Sequence, residues 1–217
     1  MGKLILVTGA SRGIGKAIAD RFGSNSDYDL VTVARTGDVT EQGDLTDVNF
    51  RNYLIEKYTP DVFVNNAGTI SRDFTETFEM NVMAMCHLLV EFWKKMETGD
   101  IINLSSIAAN KVGWEGMPDY RINYLSSKKA LKNVSKDLAF SKRKLVRVTS
   151  LEPDHVNTSI GGGPIYDVDY DRASTDLNYP APMPPEYIAE VIEWILNQPK
   201  YITISALEIM NTTRRVR

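Results

Sequence analysis

The chain has 217 residues, of which 43% are hydrophobic, and its formal net charge at pH 7 is −3. This length predicts one domain, residues 1–217, with one core. The mild acidity argues against a nucleic-acid partner, and no apolar run approaches the ~20 residues of a membrane-spanning helix. A single cysteine, Cys86, and the lack of a signal-peptide pattern predict a cytoplasmic protein, while two distant histidines predict no metal site.

Short apolar runs alternate with helical patterns along the chain. The predicted strands are 3–8, 29–34, 61–67, 100–105, 145–151 and 201–210. The predicted helices are 13–23, 47–58, 74–97, 122–141 and 185–198. This alternation is typical of an α/β fold with a single doubly wound, Rossmann-type parallel sheet that carries helices on both faces. Ligands of such sheets bind at the carboxyl ends of the strands.

Two connections depart from this alternation. Only about nine residues separate the second predicted strand from "GDL" at 43–45, where a parallel crossover usually needs a dozen or more. We therefore expect one helix of the doubly wound pattern to be missing. The stretch 157–185 contains three adjacent glycines and five prolines, and it predicts a long substrate loop that closes as a lid.

The stretch "VTGASRGIG", residues 7–15, lies between the first predicted strand and the first predicted helix. Its glycines, Gly9, Gly13 and Gly15, let the backbone approach a ligand closely, and the amides at the start of a helix attract anions. The pattern predicts a phosphate-binding turn. Taken alone, the glycines are equally compatible with a plain turn between strand and helix.

Five further motifs follow in order, and with them the chain resembles the classical branch of the short-chain dehydrogenase/reductase family over nearly its whole length. They are "GDLTD", "NNAG", "MNVMA", "INLSS" and "YLSSK". The resemblance implies catalytic roles for Asn81, Ser106, Tyr124 and Lys128. It implies cofactor contacts from Gly9, Ser11, Arg12, Gly13, Ile14, Gly15, Arg35, Asp44, Leu45, Asn66, Ala67, Gly68, Tyr124, Lys128, Pro153, Val156 and Thr158.

The predicted chemistry depends on a tyrosine and a lysine on one helix face. Tyr124 and Lys128 are four residues apart, so we expect the ammonium to lower the pKa of the phenol. Tyr124 would then exchange a proton with a carbonyl or alcohol oxygen that Ser106 also contacts. Ser105 is the close alternative to Ser106. Tyr120 is rejected as the proton donor because no lysine follows it four residues later.

Two arginines favour NADP(H) as the cofactor. Arg12 lies inside the glycine turn, and Arg35 follows the second predicted strand, where NAD-specific proteins usually carry an acid. Two guanidinium groups could hold a 2′-phosphate. The alternative is that both are ordinary surface arginines.

Two features depart from the family pattern. Asp154 stands where a glycine is usual, which puts a carboxylate near the expected nicotinamide site. The segment between Ser106 and Tyr124 is longer than in most members, and we expect its Trp114 and Met117 to line the pocket.

These observations predict an NADP(H)-dependent oxidoreductase that acts on a small-molecule carbonyl or alcohol. Two alternatives remain open: a 3-oxoacyl-carrier reductase, and a non-catalytic regulator that senses the nucleotide. The apolar residues of 74–97 and 122–141 exceed one narrow stripe, so we also predict a homodimer or homotetramer, with no membrane partner.

Overall fold

The fold is seen in a computed structural model that describes residues 2–111, 117–141, 145–160, 165–176 and 181–212. Within these ranges the strands are β1 (Lys3–Thr8), β2 (Tyr28–Ala34), β3 (Glu41–Gln42), β4 (Val62–Asn65), β5 (Thr98–Leu104), β6 (Leu145–Pro153) and β7 (Ala206–Ile209). They form one sheet in the order β3-β2-β1-β4-β5-β6-β7, and all neighbours are parallel. The predicted doubly wound fold is confirmed.

Helices cover both faces of this sheet. They are α1 (Gly13–Gly23), α2 (Val48–Lys57), α3 (Phe74–Phe78), α4 (Met85–Lys95), α5 (Asp119–Phe140), α6 (Tyr170–Thr175) and α7 (Pro185–Leu196). A π-helical segment, Glu79–Ala84, joins α3 to α4, and a 3-10 turn, Ile107–Asn110, follows β5. The predicted helix 74–97 is therefore a helical rod with a π segment inside it.

The core has two layers because side chains alternate along each strand. In β1, Ile5 and Val7 pack in the layer covered by α1 and α7, with Phe22 and Ile192. Leu6 packs in the opposite layer, which α2, α4 and α5 cover. Strands buried on both faces explain the nearly continuous apolar runs in the sequence.

The predicted loss of one helix is also confirmed. β2 and β3 are joined by the loop 35–40, which contains no helix. The buried Glu41 of β3 instead contacts α2 directly: it accepts hydrogen bonds from Tyr53 Oη at 3.1 Å and from Lys57 Nζ at 2.7 Å. It also accepts one from Tyr58 Oη. These contacts hold the edge of the sheet to α2.

The last strand is shorter than predicted. β7 covers only Ala206–Ile209, whereas the sequence pattern extends from 201 to 210. Tyr201 and Ile202 are exposed and precede the first residue that pairs with β6. In the described part of the chain, no helix is long and apolar enough to cross a membrane.

Candidate active site and cofactor cleft

The glycine turn has the geometry of an anion cradle. Gly9 and Gly13 have φ angles of 68° and 56°, which a side chain would strain. A Cβ on Gly15 would lie 2.2 Å from the carbonyl oxygen of Gly9, so only glycine fits there. Arg12 precedes α1 and makes no capping hydrogen bond through its side chain. The first amides of α1 are therefore suited to a phosphate.

The loop after β4 is hydrogen-bonded to this turn. Thr8 Oγ1 accepts from the main-chain N–H groups of Asn66 at 3.0 Å and Ala67 at 3.1 Å. Asn66 Nδ2 donates to the Thr8 carbonyl at 2.8 Å. A Cβ on Gly13 would lie 3.1 Å from Cγ2 of Thr158, which puts Thr158 beside the same turn. The segments predicted to contact the cofactor, at 9–15, 66–68 and 158, thus lie next to one another, and their binding of a cofactor stays a prediction.

The "GDL" loop, which is predicted to contact the adenine, is fixed by a residue that the sequence analysis missed. The guanidinium of Arg51, which is buried, donates to the Leu45 carbonyl at 2.5 Å and to His87 Nδ1 at 3.0 Å. Asp44 Oδ1 accepts from Thr46 N at 2.8 Å, and this main-chain hydrogen bond lowers the pKa of the Asp44 carboxyl. The sequence around Arg51 predicts a helix, and nothing in it indicated these contacts.

The two arginines of the predicted phosphate clamp lie at the same edge. Arg35 Nη1 is 3.9 Å from Asp44 Oδ2, and the Arg35 side chain is 67% exposed. A Cβ on Gly37, whose φ is 101°, would lie 3.1 Å from Ser11 Cβ. The loop 35–40 therefore contacts the residue next to Arg12, and the Arg12 side chain is exposed there.

Ser106 and Tyr124 meet at the carboxyl end of β5. Ser106 Oγ accepts from Ala108 N at 3.1 Å and donates to the Pro153 carbonyl at 3.4 Å. Burial raises the pKa of the Tyr124 phenol, and the Ser106 hydroxyl nearby, which favours the phenolate, offsets this only in part. Ser105 Oγ instead donates to the main-chain carbonyl of Lys128 at 3.1 Å. Of the two serines, Ser106 therefore faces the tyrosine.

The predicted lowering of the Tyr124 pKa is wrong in direction, and Lys128 explains why. Lys128 is only 3% exposed, and burial lowers the pKa of its amine to about 8. Its Nζ donates to the Leu104 carbonyl at 2.8 Å and lies 5.8 Å from the centre of the Tyr124 ring. Desolvation therefore governs both groups more than their attraction does. A Cβ on Gly68 would lie 3.5 Å from Lys128 Nζ, so the lysine lies beside the loop that follows β4.

Asn81 lies in the π-helical segment and is fully buried. Its Oδ1 accepts from Thr69 N at 2.8 Å, and its Nδ2 donates to the Thr69 carbonyl at 2.8 Å and to Ser127 Oγ at 3.1 Å. Ser127 Oγ donates in turn to the Tyr124 carbonyl at 2.8 Å. The Asn81 side chain thus links the loop after β4 to the turn of α5 that carries Tyr124.

The segment after β6 is held at both ends. Asn157 Nδ2 donates to the Tyr166 carbonyl and Asn157 Oδ1 accepts from Tyr166 N, both at 2.8 Å. Val156, which is buried, forms a parallel bridge with Met183. Asp154 N donates to the Ile209 carbonyl at 2.8 Å, so the turn after Pro153 forms without glycine. Within 157–185 the chain forms α6; Trp114, Gly161–163 and Tyr179 lie outside the described residues.

A sequence model of the short chain dehydrogenase family matches residues 31–163. The chain belongs to the short-chain dehydrogenase/reductase family of oxidoreductases. An uncharacterized short-chain type dehydrogenase/reductase, y4vI, of Sinorhizobium fredii is 32% identical over 72% of this chain, which spans only 33% of that relative. The 3-oxoacyl-[acyl-carrier-protein] reductase FabG of Chlamydia trachomatis is 29% identical over 74% of this chain and 76% of its own length.

Solved structures share the fold over the full chain. An alcohol dehydrogenase of Thermococcus sibiricus complexed with 5-hydroxy-NADP is 24% identical, with a TM-score of 0.80 and coverage of 100% of both chains. A 4-hydroxyisoleucine dehydrogenase complexed with NADH is 24% identical, with a TM-score of 0.75, and covers 97% of this chain and 98% of its own. Dinucleotides with and without the 2′-phosphate thus occur among structures with this fold.

Proposed function

We propose that this short-chain dehydrogenase/reductase reduces a small-molecule carbonyl with NADP(H). The observation that carries the proposal is the meeting of Ser106, Tyr124 and Lys128 at the carboxyl ends of the strands, beside the glycine turn. A site made of a proton donor, a hydrogen-bond donor and a buried amine suits the transfer of a proton to a carbonyl oxygen.

Tyr124 acts as the proton donor. Burial raises the pKa of its phenol, so the group is protonated at neutral pH and can give its proton to the substrate oxygen. Ser106 Oγ, whose single proton points to the Pro153 carbonyl at 3.4 Å in the free protein, turns that proton to the same oxygen as negative charge develops there. The nicotinamide, when bound, supplies the hydride.

The residues of the cleft fit a dinucleotide. Gly15 leaves no room for a side chain, and the amides at the start of α1 point at the cleft without a capping side chain from Arg12. No acid ends β2, where Ala34 is followed by Arg35. Arg12, Arg35 and Ser11 together offer hydrogen-bond donors to a 2′-phosphate. This set supports NADP(H) over NAD(H).

The first experiment is NADPH oxidation with a panel of α-diketones, β-keto esters and aryl ketones, for the wild type and Tyr124→Phe. We expect Tyr124→Phe to lose more than about a hundredfold in turnover, because it removes the general acid, while its affinity for NADPH stays within about twofold. Tyr120→Phe is the matched control, since Tyr120 lies one turn earlier on α5, and it should keep its turnover. Activity of Tyr124→Phe within tenfold of wild type would show that another group donates the proton.

The second experiment tests the cofactor. Arg35→Ala should weaken NADPH binding by about tenfold to a hundredfold, the value of a charge-assisted contact of about 1.5–3 kcal/mol, and should leave NADH binding nearly unchanged. Arg21→Ala is the control, because Arg21 lies on the helix that follows the glycine turn and is paired with Glu193. Fluorescence titration of both cofactors provides the measurement, and equal losses for both would remove Arg35 from phosphate recognition.

A 3-oxoacyl-carrier reductase is the second candidate, favoured by the similarity to FabG. Adding a β-keto thioester of acyl carrier protein to the panel distinguishes the two functions. A marked preference for the carrier-bound substrate over all free carbonyls would favour the second. Binding of NADPH without turnover of any panel member would instead favour the nucleotide-sensing regulator.

A further inference from the structure

A buried polar cluster lies at the carboxyl end of β6, and the reaction proposed above does not use it. Its members, here called the Glu152 cluster, are Asn110, Lys132, Ser150, Glu152 and Glu208. Glu152 has an exposure of 0%. Its Oε1 accepts from Ser150 Oγ at 2.9 Å, and its Oε2 accepts from Lys132 Nζ at 2.8 Å and Asn110 Nδ2 at 2.7 Å. Both carboxylate oxygens therefore have partners within the protein.

Asn110 connects this carboxylate to the turn that follows Ser106. Ser106 is the N-cap of the 3-10 turn, and Asn110 is its last residue. Asn110 Nδ2 also donates to Glu208 Oε1 at 2.8 Å, and its Oδ1 accepts from Lys132 Nζ. Side chains from α5, β6 and β7 thus fix the far end of the turn that begins at Ser106.

A second connection runs through the main chain. Glu152 directly precedes Pro153, whose carbonyl accepts the hydrogen bond from Ser106 Oγ at 3.4 Å. Lys132 lies four residues after Lys128, and therefore on the face of α5 that also carries Tyr124. The cluster is thus connected to Ser106 through Pro153 and the turn 107–110, and to the helix of the proton donor through Lys132.

Stability alone does not account for a carboxylate at this position. β6 is buried on both faces, where apolar side chains are usual. Replacing a buried ion pair by well-packed apolar residues is often neutral or stabilising, because the charges no longer have to be desolvated. The Glu152 cluster does, however, favour a single arrangement of the turn Ile107–Asn110, because each buried polar atom needs its hydrogen-bond partner.

We infer that Glu152, through Lys132 and Asn110, positions Ser106 for its contact with the substrate oxygen. The inference rests on the proposed function, because it takes Ser106 as the group that meets that oxygen. Glu152 does not itself touch the reacting atoms, so it is a positioning residue.

The test uses Glu152→Gln, which keeps the side-chain size and removes the charge. Asp100→Asn is the matched control: Asp100 is also buried, lies at the amino end of β5, and pairs with Arg147 at 2.5 Å and Lys200 at 3.0 Å. Both variants should lower Tm. Only Glu152→Gln should speed hydrogen exchange of the amides at 107–110, by about tenfold, because only it loosens that turn.

Turnover of the best panel carbonyl with NADPH gives the second readout. We expect kcat of Glu152→Gln to fall on the order of tenfold to a hundredfold with the KM for NADPH unchanged, and Asp100→Asn to keep its kcat below its unfolding temperature. In a Ser106→Ala background, Glu152→Gln should cause no further loss. Lys132→Gln, at a partly exposed position, is the second variant if Glu152→Gln does not fold.

Unchanged exchange at 107–110, equal kcat losses in Glu152→Gln and Asp100→Asn, or full additivity with Ser106→Ala would each overturn the inference. Full turnover of Ser106→Ala would overturn the role of Ser106 in the proposed function. In that case the exchange measurement still decides whether Glu152 holds the turn, so the two failures are distinguishable.

Discussion

At the scale of single residues, the burial of the charged Lys128 amine lowers the free energy of unfolding. Its amine is almost completely removed from water, and burial lowers its pKa from 10.5 to about 8. A shift of this size corresponds to about 3 kcal/mol against the charged form in the folded protein. The protein therefore maintains a destabilising ammonium beside Tyr124, as is common where a site needs a tuned group.

This burial predicts a pH-dependent stability. Between pH 8 and about 10, the Lys128 amine binds a proton in the unfolded chain but not in the folded one, so the free energy of unfolding rises with pH. Below pH 8 both states are protonated, and the contribution is constant. Relative to Lys128→Met, the wild type should gain about 2–3 kcal/mol across this window, measured by urea unfolding.

Lys95→Met is the control for this experiment, because Lys95 also donates to main-chain carbonyls but is less buried. The interval ends at pH 10, since above it the raised pKa of Tyr124 would begin to lower stability. A stability difference between the wild type and Lys128→Met that does not vary between pH 8 and 10 would mean that Lys128 stays charged.

At the scale of elements, the segment 157–185 is held to its surroundings near its two ends. Asn157 holds the backbone of Tyr166, and Val156 bridges Met183. Between these contacts, α6 has six residues and its N-cap Asp169 accepts from Arg172 N at 2.9 Å. So short a helix derives little stability of its own. The lid, in which α6 closes over the substrate, stays a prediction.

Hydrogen exchange tests the lid. We expect the amides of α6 to exchange fast without ligands and about tenfold or more slowly with NADPH and a substrate analogue, because closure would order this helix. The amides of Asn157 and Met183 should be slow in both conditions, and α7 serves as the internal control. Slow exchange of α6 before any ligand is added would identify the segment as permanent scaffold.

The elements that the sequence predicted well are those whose pattern and packing agree. α1 has the predicted bounds because Ile18 and Phe22 face the core and Gly23 ends the helix. The last strand was predicted too long, because Tyr201 and Ile202 favour strands but have no partner beside β6. The π segment around Asn81 has no pattern of its own, since a single widened turn leaves the helical spacing nearly unchanged.

Residues of the candidate site that belong to sequence motifs were predicted one by one. Residues whose role depends on contacts between distant elements were missed. The serine and tyrosine at the end of β5 and on α5 meet as expected. Arg51 and Glu152 were missed, because their partners lie 36 and 20 residues away, in His87 and Lys132. Glu152 lies just beyond the predicted strand 145–151, whereas the observed strand extends to Pro153, so the pattern did not indicate a buried carboxylate. Spacing along a chain does not reveal such long-range pairs.

At the scale of the whole molecule, part of the apolar surface expected to join two subunits is buried within a single chain. Among the apolar residues of 74–97, four on α4 are fully buried in the core of the chain: Met85, Leu88, Leu89 and Phe92. They need no partner subunit. Large apolar side chains that stay exposed include Met83 and Phe140 at 65% and 63%, and Trp194 on α7 at 53%. The homo-oligomer stays a prediction, with a smaller apolar surface to support it.

Light scattering at micromolar concentration tests this prediction. The wild type should elute as a dimer or tetramer, and Met83→Glu should shift it toward monomer if α4 and α5 form the interface. Trp194→Glu introduces the same charge on α7 and so distinguishes an interface on α7 from one that includes Met83. A monodisperse wild-type monomer would exclude the oligomer and leave these side chains as ordinary exposed apolar surface.

The hydrogen bonds between Thr8 and the loop after β4 have a kinetic consequence. Thr8 Oγ1 and Asn66 Nδ2 join the ends of β1 and β4 into one unit through contacts within the chain itself. A cradle that is already ordered loses little conformational entropy when its ligand arrives. Association is then limited by diffusion and orientation, so that different dinucleotides would bind at similar rates. Selectivity between them would lie in residence time, that is, in how slowly the preferred one leaves.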